Sequence, residues 1–491
     1  MTAERSESVI RRDRFSGGPA RSFLSSMSFD RRIFAADLAV DRAHVVMLTE
    51  CDVIEDVEAG QILAALDTVE SAGFDALPDA EDVHEAIETA VIEEVGAVGG
   101  KMHTARSRND EIATCLRYRL REDVLELLET SIACRTALAE LAHEHADTVM
   151  PGYTHLQPAQ PTTLGHWALS YESALARDTE RLFEAFDRLN RSPLGAAAFA
   201  GTPYEVDRDR TAALLGFDGV LENATDAVSS RDFLVEVSAA VTALSLTLSS
   251  LAADVIHYAN RGYVELADDY ASTSSIMPQK INPDSLELTR ATAGDATAGL
   301  NGLVTTLKGL PRAYNRDLQQ ASPHAWAGLE PVTEATAVAT GALTTASWDE
   351  AALAVAAGVG FTTATGVADL LAQAGVPFRT AHEIVATAAT DLSDDPDTKA
   401  VIEAVESTAR EVLGPDGVSP YVEAAELAAV LDPIESVATR DSFGGPAPMA
   451  VAAALDRVEA DLTTDTEQLT DRRETLAAAA AARREEVDRY G

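Results

Sequence analysis

The stretch Val237–Ala253 carries no charged side chain and is long enough to raise the question of a membrane span. It is also rich in Ser, Thr and Ala, which argues for a helix buried among other helices. A helix this uncharged needs covering on all its sides, so the fold has to supply several neighbours of similar length. Aromatic residues make up only 5% of the chain and long alternating apolar runs are scarce, so strands are a poor source for those neighbours. The expectation is an all-α protein, and 491 residues are enough for roughly three domains.

Ser272 to Arg290 reads S-T-S-S-I-M-P-Q-K-I-N-P-D-S-L-E-L-T-R. Pro278, Pro283 and the serine-rich start keep its first half out of regular helix. Asn282 then suits an N-cap, Pro283 the first helical position and Asp284 the positive end of the dipole. Leu286, Ala293, Leu300 and Leu307, with Ala296 and Leu303 between them, predict one buried face on the helix that follows. A polar loop feeding a helix start suits anions. Lys280 and Asn282 lie there to hold a carboxylate, and the Ser274 hydroxyl can reach a bound substrate.

Two further loops carry chemistry. Gly99 to Asp110 reads G-G-K-M-H-T-A-R-S-R-N-D and precedes a helix opening near Asn109 or Asp110. Arg106 and Arg108 offer forked donors there, and Asn109 offers a donor and an acceptor. Met150 to Pro161 reads M-P-G-Y-T-H-L-Q-P-A-Q-P, a structured loop in which His155 is suited to proton transfer near neutral pH. His84, on a helix start, reads as a packed or surface histidine, and His143 and His145 are spaced wrongly for a shared helix face.

These motifs resemble known signatures. S-S-I-M-P-Q-K-I-N-P is similar to the S-S-x-M-P-x-K-x-N-P loop of the fumarase/aspartase superfamily, with Thr273 where that pattern has Gly. Y-T-H-L-Q-P-A-Q-P resembles the superfamily's second signature, which makes Thr154 a substrate contact and His155 catalytic. H-T-A-R-S-R-N-D resembles the first signature of the argininosuccinate lyases in particular, with Ala105 and Glu111 where that family has Gly and Gln. R-F-S-G-G at Arg14–Gly18 and F-L-S-S-M-S-F-D at Phe23–Asp30 resemble that family's entry segment, which places Ser26 at the substrate. Tyr314 and Gln319 match its substrate-contacting positions. Ser322 stands where the family often has a lysine, and the neighbouring Arg316 is the candidate to replace it. Ala196–Ala198 stand where the family has Gly-Ser-Gly.

The resemblance implies three helical domains, taken here as 1–110, 111–359 and 360–491. The central long helices would join across a homotetramer as a twenty-helix core, with each site drawing on three chains. It implies reversible elimination of argininosuccinate to arginine and fumarate. Ser274 and His155 are the proton-transfer pair, with Ser274 as base and His155 as acid or the reverse. Lys280 and Asn282 stabilise the doubly negative intermediate, and Glu287 orients His155. Ser26, Arg108, Asn109, Thr154, Tyr314 and Gln319 bind substrate. No metal or organic cofactor is implied. A related lyase acting on adenylosuccinate or malate, or a non-enzymatic protein on this fold, are the other readings; the first lacks H-T-A-R-S-R-N-D, and the second leaves His155, Ser274, Lys280 and Glu287 unexplained.

The charge balance speaks of the solvent. There are 38 basic and 80 acidic residues, a net charge of −42, with no basic stripe for nucleic acid. Only four lysines occur, and the acidic residues are dispersed rather than blocked into a tail. Such a surface suits high salt, where screening removes self-repulsion. Dilution into low salt is expected to cause partial unfolding or dissociation, readable by circular dichroism and sedimentation. Three scattered cysteines fit reduced thiols in a cytoplasmic protein, and the arginine-bearing N-terminus lacks the apolar core of a signal peptide.

Overall fold

The computed structural model describes residues 20–393 and 396–490. The R-F-S-G-G segment and the N-terminal arginines Arg5, Arg11, Arg12 and Arg14 lie outside the described residues.

The chain is all-α, with three two-stranded ribbons. Five long helices form its centre: Arg108–Glu144, Leu164–Leu189, Asp232–Asn260, Asp284–Leu307 and Ala321–Thr345. Arg108–Glu144 starts one residue before the expected Asn109. Ser107 is its N-cap, accepting the Asn109 N–H at 3.2 Å, while Asp110 returns a bond to the Ser107 N–H at 2.9 Å. Leu116, Leu120, Val124 and Leu127 then recur on its buried face, each contributing about 1.5–3 kcal/mol of burial.

The helix Asp232–Asn260, which contains the uncharged stretch, packs against Leu164–Leu189, Asp284–Leu307 and Ala321–Thr345. Three neighbours do not close around it: Leu246 stays 56% exposed, and Ala239 and Ser250 lie open beside it. It is long and apolar enough to cross a membrane by composition alone, yet it sits inside this bundle. Close approach between the next two helices depends on missing side chains. A Cβ on Gly299 would lie 2.5 Å from the His324 carbonyl oxygen.

Helix Asp284–Leu307 departs from expectation in two ways. Its N-cap is Pro283, at φ −82° and ψ 50°, because Asn282 is drawn into a strand instead. Its buried stripe runs through Leu286, Thr289, Ala296, Gly299 and Leu303, while Ala293, Leu300 and Leu307 are only half-buried. Leu288 and Val304 point outward, 70% and 46% exposed. Both open faces lie on the central helices, where another copy would add cover.

The N-terminal helices Phe34–Glu50, Asp56–Ala72 and Val83–Val95 share one continuous core with the bundle. A second core, built on Val367, Leu371, Ile384, Val405 and Leu427, belongs to the short helices that follow Gly360. The last helix, Pro448–Asp488, is 41 residues long and returns to the large core through Val451, Leu455, Val458, Leu462 and Leu469.

Candidate active site

The signature loop is a small hairpin. Ser272–Thr273 pairs with Ile281–Asn282, so Thr273 faces Ile281 in extended backbone, where a β-branched residue fits and glycine's freedom is not needed. Inside the turn, the Ser274 hydroxyl oxygen accepts the N–H groups of Met277 at 3.1 Å and Ile276 at 3.4 Å. Lys280 donates to the Asn282 side-chain oxygen, which holds the ammonium against the base of the hairpin. Two N–H donors on one oxygen, with an ammonium and a helix start nearby, favour a negative charge there. Lys280 and Glu287 are exposed, and Ser274 and Asn282 are half-buried.

His155 sits at the tip of a second ribbon, Val149–Thr154 paired with Gln157–Thr163. Thr154 faces Gln157, leaving His155 and Leu156 as a two-residue turn with φ of +56° and +59°. Positive φ at both positions is the primed hairpin turn, usually made by Asn-Gly. Here it lifts an imidazole off the surface. The ribbon bulges between Pro151 and Tyr153, and a Cβ on Gly152 would meet the Gln160 carbonyl oxygen at 2.5 Å. The bulge lets the Tyr153 hydroxyl meet that of Tyr263 at 3.1 Å, with the ring 5.1 Å from His257. Aromatic packing thus anchors the arm that carries His155.

A third group lines a cavity of about 760 Å³: Ser26, Arg108, Tyr314 and Gln319, with Arg316 and Ser322 in the same wall. The Ser26 hydroxyl donates to Asp30 at 2.7 Å, and burial raises the Asp30 pKa. Gln319 donates to the Leu24 carbonyl at 3.1 Å and accepts from Arg316 at 3.3 Å. Ala313, at φ +67°, turns the chain just before Tyr314. Asn109 faces elsewhere, donating to the Ala198 carbonyl at 3.0 Å. Asp110 secures that same loop by accepting the N–H groups of Gly195 and Ala197 at 3.0 and 2.8 Å. Ala105, in the place of a family glycine, and Ala197, in that of the family serine, hold φ of +62° and +52° and carry about 1–2 kcal/mol of strain each.

Most cations along the cavity are matched by acids. Arg108 meets Asp82 at 3.2 Å, Arg316 meets Glu81 at 2.6 Å, and Arg119 meets Asp123 at 2.5 Å. Arg31 pairs with Asp75 and Arg32 with Glu330. His84, expected to be ordinary, forms part of this wall and donates to Asp37 at 2.7 Å. Behind it, Arg106 binds Asp41 at 2.6 Å and Glu111 at 3.0 Å, and Cys115 donates to Asp37 at 3.3 Å. Arg106 is therefore a buried structural ion rather than a substrate donor. Asp37, His84 and Cys115 bring three metal-capable atoms within 4.8 Å of one another, but Asp37 already binds the other two.

Burial disfavours the His84 charge, but Asp37 and Glu111 outweigh it and push the pKa up to about 10 from 6.5. Stability from this charge is complete below pH 6.5 and is lost as pH rises through about 10. Asp37→Asn strands the imidazolium, with an expected loss of about 3–5 kcal/mol and a weaker alkaline fall in stability. Denaturant titrations in concentrated potassium chloride, repeated across pH, measure both. A change under about 1 kcal/mol would contradict the assignment.

The three groups do not meet within one chain. Thr154 lines a different cavity with Phe361, Thr362 and Arg440, and Asn282 a third with Trp348 and Asp349. Among the described residues, no hydrogen bond or ion pair joins His155 to Glu287, so the expected orienting contact is not made within a single copy. Sequence reasoning also passed over Asp30, Asp82 and Arg231, which line the first cavity. The D-A-V-S-S-R-D stretch at Asp226–Asp232 was a visible signal for the last of them.

Comparison with known proteins follows the same order of motifs. The sequence model of the Lyase family matches residues 21–297, and that of the argininosuccinate lyase C-terminal family matches residues 361–438. The chain is 63% identical to the argininosuccinate lyase of Haloarcula marismortui over 487 residues, covering 99% of this chain and 97% of that one. It is 62% identical to the argininosuccinate lyase of Natronomonas pharaonis over 488 residues, covering 99% and 98%. Among solved structures, EDDS lyase in complex with formate superposes with a TM-score of 0.86 at 33% identity, covering 96% of each chain. By its sequence along nearly its whole length, and by its fold, the chain belongs to the argininosuccinate lyase family.

Proposed function

We propose that this chain cleaves argininosuccinate reversibly to L-arginine and fumarate, the last step of arginine biosynthesis, at sites shared among the copies of a homotetramer. The observation that carries the reading is 62–63% identity to argininosuccinate lyases over 99% of the chain. Ser274 takes the proton from the carbon beside a succinate carboxylate. Lys280, Asn282 and the N–H groups of the hairpin stabilise the doubly negative intermediate. The C–N bond then breaks, and His155 gives a proton to the departing guanidino nitrogen. Thr154 holds the succinate end, Ser26, Arg108, Tyr314 and Gln319 hold the arginine end, and Asn109, which faces the Ala198 loop in one copy, is a further substrate contact.

The shared site is supported by what one chain lacks. His155 stands on an exposed turn away from Glu287, and Leu246, Leu288 and Val304 leave the central helices open. A second copy placed there covers apolar surface and brings one chain's arm to another's hairpin. The division at 1–110, 111–359 and 360–491 belongs to the same proposal, resting on the family pattern and on the separate core after Gly360. Cytoplasmic location is proposed on the three free cysteines and the biosynthetic role.

The test is fumarate release in concentrated potassium chloride, with argininosuccinate, adenylosuccinate, malate and aspartate offered separately. Release from argininosuccinate alone is expected. Release from another substrate instead would keep the superfamily and overturn the specificity.

A further inference from the structure

Arg231 is the exception among the cations of the main cavity. It caps the helix Asp232–Asn260, is only 3% exposed, and lines the wall with Tyr314 and Ser322. Each of the other cations in that wall has a carboxylate within 4 Å. Among the described residues, Arg231 has none. Its Nη1 donates to the carbonyls of Ser230 at 2.7 Å and Val228 at 3.4 Å, and its Nε has no acceptor. Burial lowers its pKa to about 10, which leaves it charged at neutral pH.

A guanidinium buried without an anion is costly, and partial pairing to carbonyls only softens that cost. Two other buried arginines, whose Nε atoms also lack an acceptor, show how this chain settles such a charge for structural ends through the rest of the guanidinium. Arg121 has three acceptors at 2.7–2.9 Å and the Phe217 ring at 4.2 Å. Arg117 reaches two carbonyls, the Ser230 hydroxyl and, at 4.0 Å, Asp232. Neither lines the cavity. Arg231 does, and its Nη2, for which no hydrogen bond is made among the described residues, is the donor left for a ligand.

Resting on the proposed activity, we infer that Arg231 binds the α-carboxylate of the arginine half of argininosuccinate. The two succinate carboxylates belong with Thr154, Lys280 and Asn282, none of which lines this cavity. Only the third carboxylate is left for it. Asp30 and Asp82 in the same wall suit the cationic groups of that half, and among the described residues Arg231 is the cation of the wall that no carboxylate already pairs. Ser322, in the lysine's place, also lines this wall, so Arg231 supplies a charge that the lysine would otherwise bring. Its forked donors match a carboxylate in a way an ammonium does not.

Product inhibition tests this on the whole enzyme in concentrated potassium chloride. Arg231→Met is expected to weaken inhibition by L-arginine by about 10- to 100-fold, the loss of one charge-assisted hydrogen-bonding group. Inhibition by fumarate should move by less than about 3-fold, well under the tenfold that each 1.4 kcal/mol produces. Adding Ser322→Lys to that variant should recover arginine inhibition. If Arg231→Met does not fold, wild-type enzyme still decides: agmatine, which is arginine without its carboxylate, should inhibit at least about 10-fold more weakly than arginine. Unchanged arginine inhibition in Arg231→Met, or agmatine binding as tightly as arginine, overturns the inference alone. No fumarate release by wild type overturns the proposed activity and this inference with it.

Discussion

Replacing Ser274 by alanine is expected to lower kcat by about 10³- to 10⁴-fold while leaving KM and thermal stability close to wild type. The split follows from where the side chain stands. Its oxygen receives two backbone N–H groups, from Met277 and Ile276, in a half-buried turn that packs nothing into the core. Those donors lower the energy of an alkoxide far more than that of a neutral hydroxyl. The adjacent Lys280 ammonium and the start of Asp284–Leu307 act in the same direction. Alanine removes the group proposed to accept the proton but keeps the hairpin, whose strands are joined through the backbone pairs Ser272 with Asn282 and Thr273 with Ile281. Steady-state kinetics with argininosuccinate, alongside a melting curve, separates the two effects. Activity within about tenfold of wild type would remove Ser274 from the proton transfer.

How far the sequence revealed this depends on which force set each element. The start of Arg108–Glu144 was legible to within a residue or two because Ser107 and Asp110 are local capping signals. The helix start near Pro283 was legible too, but the N-cap was not. Asn282 is a better cap by preference, and pairing with Ser272 overrides that preference by drawing it into the hairpin. The ribbon that carries His155 hid behind three prolines, and its turn is His-Leu rather than Asn-Gly. Only tertiary packing of Tyr153 against Tyr263 and His257 explains why the chain accepts two strained positions there.

Burial was read well where one chain supplies it and poorly where it does not. The uncharged stretch Val237–Ala253 announced a bundle, but the Leu246 face of its helix stays open because no segment among the described residues covers it. Likewise, the buried stripe of Asp284–Leu307 was placed one step to the side, since the apolar Leu288 and Val304 point away from this chain's core. Arg231 looked like an ordinary arginine before a helix, and His84 like an ordinary histidine. Nothing local marks either as buried, because both are enclosed by elements far away in sequence, such as the segment around Tyr314 for Arg231 and Asp37 for His84.

The second large effect concerns the sharing of sites. His155 and Ser274 stand on separate ribbons, and among the described residues no hydrogen bond joins them in one copy. In a tetramer built as proposed, a site takes its arm from one chain and its hairpin from another. Ser274→Ala and His155→Asn should each be nearly inactive alone. If the two are unfolded together and refolded as a mixture, some sites will combine an intact His155 from one chain with an intact Ser274 from the other.

That mixing experiment tests the central claim most directly, with argininosuccinate cleavage read as fumarate release and mixed tetramers verified by mass spectrometry. Activity should return well above either variant refolded alone, and should rise and fall with the proportion of mixed tetramers. Verified mixed tetramers that stay as inactive as the separate variants would contradict the account, because both groups would then have to come from the same chain.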